Sequence, residues 1–216
     1  LPENAGEGTN FLDAMLQRGS KQNIQISMSG GDEKNTHYVS FNYEKNEGVI
    51  FKSSMQKANL RISLNNQITD RFHLNTILKG STVLNNRRNT SSKTSFYGSM
   101  LNAMRANPLL PLTNEDGTVN IQDQNGNFLR NPYADALYEK NPLLTNDALL
   151  SLQGKYEILE GLSLNIRVSG EYRISNLNKW NPSTTAQGFQ LNGVAYLTSL
   201  NHNHLASETF LNFDKK

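Results

Sequence analysis

Cysteine is absent from this 216-residue chain. That excludes a disulfide scaffold and cysteine-based zinc or redox chemistry, while leaving the compartment open. Charge is sparse: Asp, Glu, Lys and Arg make up 19% and the net charge is +2. This is too little for a nucleic-acid surface, a coiled coil or a charge-solvated disordered tail. Long apolar runs are missing as well. Hydrophobic residues make up 36% and the mean hydropathy is -0.59, and no run approaches the roughly eighteen apolar residues of a spanning helix. A barrel that turns only half of each strand toward lipid is compatible with such an average. No methionine and no basic, apolar leader stands at Leu1, so the chain reads as a processed product or an internal fragment.

What is present is alternation. From Leu162 to Ile174 every second residue is apolar or glycine and every intervening one is polar or charged. Soluble strands usually run only about five or six residues, whereas this stretch is long enough to cross a bilayer at a tilt. The pattern recurs. Ile24, Ile26, Met28 and Gly30 share a face, as do Val39, Phe41 and Tyr43; Leu60, Ile62 and Leu64; Phe72, Leu74, Thr76, Leu78 and Gly80; and Leu150, Leu152, Gly154, Tyr156 and Ile158. Ile77 breaks the polar side of its run. A weaker final strand is expected from His202 to Phe213, giving about seven strands.

Short polar turns at 30–35, 69–71 and 160–161 alternate with longer connections at 47–55, 85–145 and 176–200. Short turns on one rim and long loops on the other suit an outer-membrane barrel better than a sandwich. Short helices are expected around Phe11 to Gln17 and from Thr94 to Arg105, the second ending before Asn107-Pro108. Asn-Pro recurs at 131–132, 141–142 and 181–182, and all prolines are expected outside the strands. Seven strands do not close a barrel of even strand number, so the fold expected is all-β: part of a larger antiparallel transmembrane β-barrel.

Chemical motifs are few. His202-Asn203-His204 puts two imidazoles on one side of a strand, without further convincing ligands. Asn114-Glu115-Asp116-Gly117 and Asp123-Gln124-Asn125-Gly126-Asn127 read as glycine turns, because the full pattern of a calcium loop is absent. Asn85-Asn86-Arg87-Arg88-Asn89 is locally basic, suited to glycolipid phosphate or an anionic substrate, or simply to water. Tyr97, Tyr133, Tyr138, Trp180 and Phe189 are candidate substrate or lid contacts, although long loops also use aromatics to pack themselves. No hydrolase elbow, P-loop, dinucleotide fingerprint or zinc hydrolase signature occurs, so no catalytic, cofactor or metal site is expected.

Several stretches resemble the SusC/RagA-like TonB-linked outer-membrane transporters of Bacteroidota. These are Thr9-Asn10-Phe11-Leu12-Asp13-Ala14-Met15-Leu16, with Phe11 where that family usually has tryptophan; Gln22 to Gly31; Tyr38 to Tyr43; Asn46 to Ile50; Ala103 to Pro111; and Glu157 to Leu162. The resemblance implies that residues 1–216 are early strands of a 22-stranded barrel, with the plug and the later strands lying outside this sequence. It implies a multi-pass protein in contact with outer-membrane lipid. It further implies import of oligosaccharides or peptides under a SusD-like surface lipoprotein, energised by TonB-ExbB-ExbD through the plug, without nucleic acid, cofactor or covalent chemistry. Asn165, Arg167, Glu171 and Arg173 would then face the lumen. Leu162, Leu164, Ile166, Val168 and Tyr172 would face lipid, and the three long connections would face outward. A noncatalytic adhesin or carbohydrate-binding β protein is the alternative.

Overall fold

The computed structural model of the chain describes residues 8–88, 99–122, 125 and 127–214. Seven strands form one antiparallel meander in sequence order: β1 (Ser20–Gly31), β2 (Asn35–Glu47), β3 (Ser54–Thr69), β4 (Phe72–Asn86), β5 (Pro142–Leu159), β6 (Leu162–Asn181) and β7 (Val194–Phe213). Four short helices lie outside the sheet: α1 (Phe11–Ala14), α2 (Ser99–Arg105), α3 (Pro132–Tyr138) and α4 (Ala186–Phe189). The sheet is open, with β1 and β7 at its edges. No helix among the described residues is long and apolar enough to cross a membrane, which leaves strands unaddressed.

Register aligns the alternation across all seven strands. Met28, Val39, Ile62, Leu78, Leu150, Gly170 and Leu205 lie directly opposite one another in turn, making one row of the apolar face. The next polar row reads Ser27, Ser40, Arg61, Lys79, Leu149, Glu171 and His204. A slip of one residue would exchange the faces, so each hairpin must hold its register. The two-residue turns at 70–71 and 160–161 each adjoin a register shift, between Gln67 and Thr69 and between Glu157 and Leu159. Gly161 takes φ +80°, and a Cβ there would stand 2.3 Å from the Asp214 carbonyl oxygen. Only glycine fits that turn.

The apolar stripe is shorter than the strands. On β6 it runs from Leu162 to Ile174, somewhat more than the roughly nine to eleven residues a tilted strand needs to span a bilayer. Toward the long-loop rim the same parity becomes mixed, with Asn176 and Asn178 on β6 and with Ser199 and Asn201 beside Leu197 on β7. This corrects two expectations. The connection expected at 176–200 is confined to 182–193, and the final strand begins at Val194 rather than His202. Side-chain rhythm fades there because each face mixes polar and apolar residues, Leu177, Tyr196 and Leu200 on one and Asn176, Leu197 and Ser199 on the other, while backbone pairing continues unbroken from Leu162–Phe213 to Asn181–Val194. Pro142, expected outside the strands, opens β5, the one strand position where the missing amide costs little.

The buried apolar core sits beside the sheet, among the loops at the long-loop rim. Phe11 and Met15 pack with Ala103 of α2 and Ala136 of α3, flanked by Phe51, Met100, Ala106, Leu110 and Leu112. The helix expected from Thr94 is observed as α2 from Ser99; residues 94–98 lie outside the described residues. Met15 has no exposed surface. Truncating a buried methionine costs roughly 2–5 kcal/mol, and here the loss falls on the loops. Met15→Ala is expected to speed amide exchange in α2 and α3 while β3 to β6 keep their protection; equal loss in the sheet would contradict a separate rim core.

Candidate functional site

The long-loop rim is assembled from four distant segments: 8–19, 48–53, the described residues of 87–141, and 182–193. The Gln17 and Phe51 amides bond to the carbonyls of Val49 and Met15, and Leu16 and Ile50 form an isolated bridge. Arg88 ties the second and third segments together. Its guanidinium donates to the carbonyl oxygens of Phe51 (3.2 Å), Lys52 (3.2 Å) and Glu139 (2.6 Å). This corrects the reading of Arg88 as either a solvated or a phosphate-facing cation: three carbonyls occupy its donors. Asn131 caps α3 by accepting from the Tyr133 amide at 3.0 Å, and its amide reaches the carbonyls of Leu112 and Asn120.

The fourth segment docks through α4. Thr185 is buried, caps the helix by accepting from the Gly188 amide at 3.1 Å, and donates to the Pro182 carbonyl at 2.7 Å. A Cβ on Gly188 would stand 2.0 Å from the same carbonyl oxygen. From α3, the Asp135 carboxylate accepts from the Ala186 amide at 2.7 Å. Lys140 and Trp180 pair through their backbones, and the Lys179 ammonium lies 3.4 Å from Glu139. Asp135 sits in a poorly solvated place. Burial pushes its pKa from 3.8 up to about 6, against the lowering effect of the Ala186 amide and Arg130.

The aromatic candidates separate here. Tyr133 stacks on Phe51 with ring centroids 5.7 Å apart, and Phe189 stacks on Phe128 at 4.2 Å. Tyr138 ends α3, half-buried. Trp180 is 41% exposed, with its ring lying against Gly193. Tyr97 lies outside the described residues, as do Asp123, Gln124 and Gly126 of one expected glycine turn. The other is present: Gly117 has φ +81°, and Asp116 accepts from Thr118. The long loops thus use Tyr133 and Phe189 partly to hold themselves together, with Phe189 still 46% exposed.

The second zone is the polar face. Asn165 is buried beside Ser163. Arg167 bonds to Gln153 at 3.0 Å and Glu208 at 3.3 Å. Arg173 grips Asp147 and, at 3.3 Å, Glu171. Asparagines extend the network: Asn42 donates to Asn23, Asn59 to Asn42, and Asn75 to Asn65. His202 and His204 stand opposite Arg173 and Glu171. The four residues singled out on β6 therefore share one face. Their partners Asp147, Gln153 and Glu208 were missed, since a single strand's rhythm does not reveal its neighbour's register.

One apolar and one polar face, carried by a long-stranded meander with unequal rims, define a stretch of antiparallel barrel wall. No protein-family model matches the chain. Two curated proteins of Formosa agariphila are similar to it: TonB-dependent receptor P3, 26% identical over 96% of this chain, and TonB-dependent receptor P26, 26% identical over 80%. The chain spans about a fifth of their length, 21% and 17% respectively. Solved structures of the RagAB peptide importer share the fold in both its closed-closed and open-open states. The TM-score is 0.67 in each case, at 15% and 14% identity, over 82% of this chain and 20% of the solved chain. The resemblance drawn from the sequence is borne out at this level: the chain is similar in sequence to TonB-dependent receptors and shares the fold of a stretch of the RagAB barrel.

The Asp135 contact sets a pH dependence at the rim. Between about pH 4 and 6 the docked loop holds a proton that the undocked loop has released, so docking weakens as pH rises through that window and levels off above it. After correction for intrinsic exchange, protection of the Ala186 amide is expected to fall from pH 4 to 7, by at most about a hundredfold. Asp135→Asn, which keeps the acceptor, is expected to flatten that profile; a wild-type profile already flat would contradict the assignment.

Proposed function

We propose that this chain forms part of the wall of a TonB-dependent outer-membrane transporter that imports oligosaccharides or peptides beneath a SusD-like surface lipoprotein. The supporting observation is the division of the sheet into two faces at the depth of the apolar stripe. Leu60, Leu78, Leu150, Ile166 and Val168 are at least 40% exposed on one side, while Arg61, Lys79, Arg167, Glu171 and Arg173 occupy the other. Charge on a lipid-facing strand position near the midplane costs roughly 2–4 kcal/mol for Arg or Lys. The charged face therefore belongs against water in a lumen, and the apolar face against acyl chains.

Mechanism follows from that placement. Asn165, Arg167, Glu171 and Arg173 line the aqueous path as a hydrogen-bonded wall, and their bonds to Ser163, Gln153, Glu208, Asp147 and one another keep them from holding a polar solute permanently. Strand ends beyond Ile174 carry the wall above the membrane, where the rim loops meet cargo and lid. Tyr138, Trp180 and Phe189 offer ring surface there for sugar faces or peptide side chains, and Tyr97 and Tyr133 belong to the same long loop. Binding, lid closure and rearrangement of a TonB-contacted plug then move the solute with no bond made or broken. The similarity to proteins named TonB-dependent receptors and to a peptide importer supports this reading.

Cells carrying the intact gene are expected to accumulate labelled oligosaccharides or peptides from a defined pool. Accumulation should disappear on gene deletion and on collapse of the proton gradient. Surface binding that persists without accumulation would favour an adhesin instead.

A further inference from the structure

Arg61 on β3 and Lys79 on β4 are directly opposite in the register, both on the polar face and both exposed. Directly opposed side chains have Cβ atoms about 4.5–5.5 Å apart, and like charges there are destabilising. Among the described residues no other pair of Lys and Arg stands directly opposite in the sheet. Most other cations of this face have acids: Lys21 pairs with Glu44, Lys57 stands opposite Glu44, Arg167 pairs with Glu208, and Arg173 takes Asp147 and Glu171, while Lys155 has none but stands opposite His73 and Asn165 rather than another Lys or Arg.

No acid serves Arg61 and Lys79. The same-face positions around Arg61 are Ser40, Asn59, Ser63, Tyr38, Asn42, Ile77 and Ser81 besides Lys79. Around Lys79 the nearest carboxylate is diagonal, Asp147, which already holds Arg173 and the Ser81 hydroxyl. Neither cation makes a hydrogen bond or ion pair to another described residue. The pair also lies beside Leu60, Leu78 and Gly80 of the apolar stripe, so in the proposed wall it stands inside the lumen at membrane depth.

We infer that Arg61 and Lys79 form an anion site on the inner wall that receives a carboxylate, with Ser40, Asn59 and Ser63 as adjacent hydrogen-bonding groups. A planar guanidinium grips both carboxylate oxygens while the ammonium supplies a point charge. The carboxylate comes either from an acidic side chain of another part of the same protein seated in the lumen or from a carboxylate-bearing solute in transit. The site rests on the wall reading above.

Carbodiimide coupling reads the site, because it joins an amine to a carboxylate with no spacer, so a carboxylate held at Lys79 couples there in preference to other exposed lysines. The complete protein, extracted from outer membranes, is coupled and digested, and the Lys79 peptide is weighed. A parallel sample carries an N-acetylated hexapeptide with a free carboxyl terminus, and a third its amidated twin. Lys79 joined to an Asp or Glu outside the sheet identifies the internal source. Lys79 carrying the free-acid peptide at least tenfold above the exposed Lys34 and Lys155 of the same sample, with the twin as the blank, identifies a solute. In either case Arg61→Gln is expected to lower the yield about tenfold, the worth of one charge-assisted contact. Lys79 left unmodified while Lys21–Glu44 and Lys45–Glu47 couple would overturn the site, as would Lys79 joined to Asp147. Failure of the wall reading shows separately: a water-soluble maleimide would then label Ile62→Cys as readily as Ser63→Cys.

Discussion

Everything in this molecule depends on one register, propagated through six antiparallel hairpin pairings. Because side chains alternate with period two, one correct pairing sorts the residues of both strands onto two faces, and the next pairing inherits that sorting. Rows such as Met28 to Leu205 and Ser27 to His204 are the result. The sheet itself has almost no buried apolar interior. Its coherence comes from the backbone ladder and from side-chain pairs across it, among them the Asn23–Asn42–Asn59 chain and the Arg173–Asp147 pair.

The rims are built by opposite physics. At one end the chain turns in a few polar residues, with Gly161 making a bend that no Cβ tolerates. At the other, four distant segments meet around Phe11 and Met15 and are tied by Arg88, Asn131, Asp135 and Thr185. A loop region with its own core presents a defined surface rather than a fluctuating one. In the proposed transporter, that surface is what cargo and lid meet, while the polar face below it lines the path.

The strands were legible wherever alternation was strict, and so were the short turns between them. Legibility failed where alternation failed. Beyond Ile174 both faces of β6 and β7 mix polar and apolar residues, so only the ladder, invisible in a single sequence, carries the strands to Asn181 and back from Val194. The rim was legible in pieces: Phe11 to Ala14 and Ser99 to Arg105 are helical, yet nothing local indicates that they pack together. Arg88 looked solvated because its three carbonyl acceptors come from residues far along the chain. Tyr133 and Phe189 drew notice as exposed-loop aromatics, but their ring partners Phe51 and Phe128 are tertiary neighbours. On the wall, Arg173 was legible while its acid Asp147 emerged only with the β5–β6 register.

The central claim is that the two faces of this sheet meet two solvents. Spin labels placed singly at residues 163–173 of the complete protein in lipid vesicles, with collision rates measured against oxygen and a water-soluble nickel complex, test it most directly. The account predicts strict alternation. Oxygen accessibility should peak at 164, 166, 168 and 172, and nickel accessibility at 165, 167, 171 and 173. Equal nickel access at both parities would place both faces in water and contradict it.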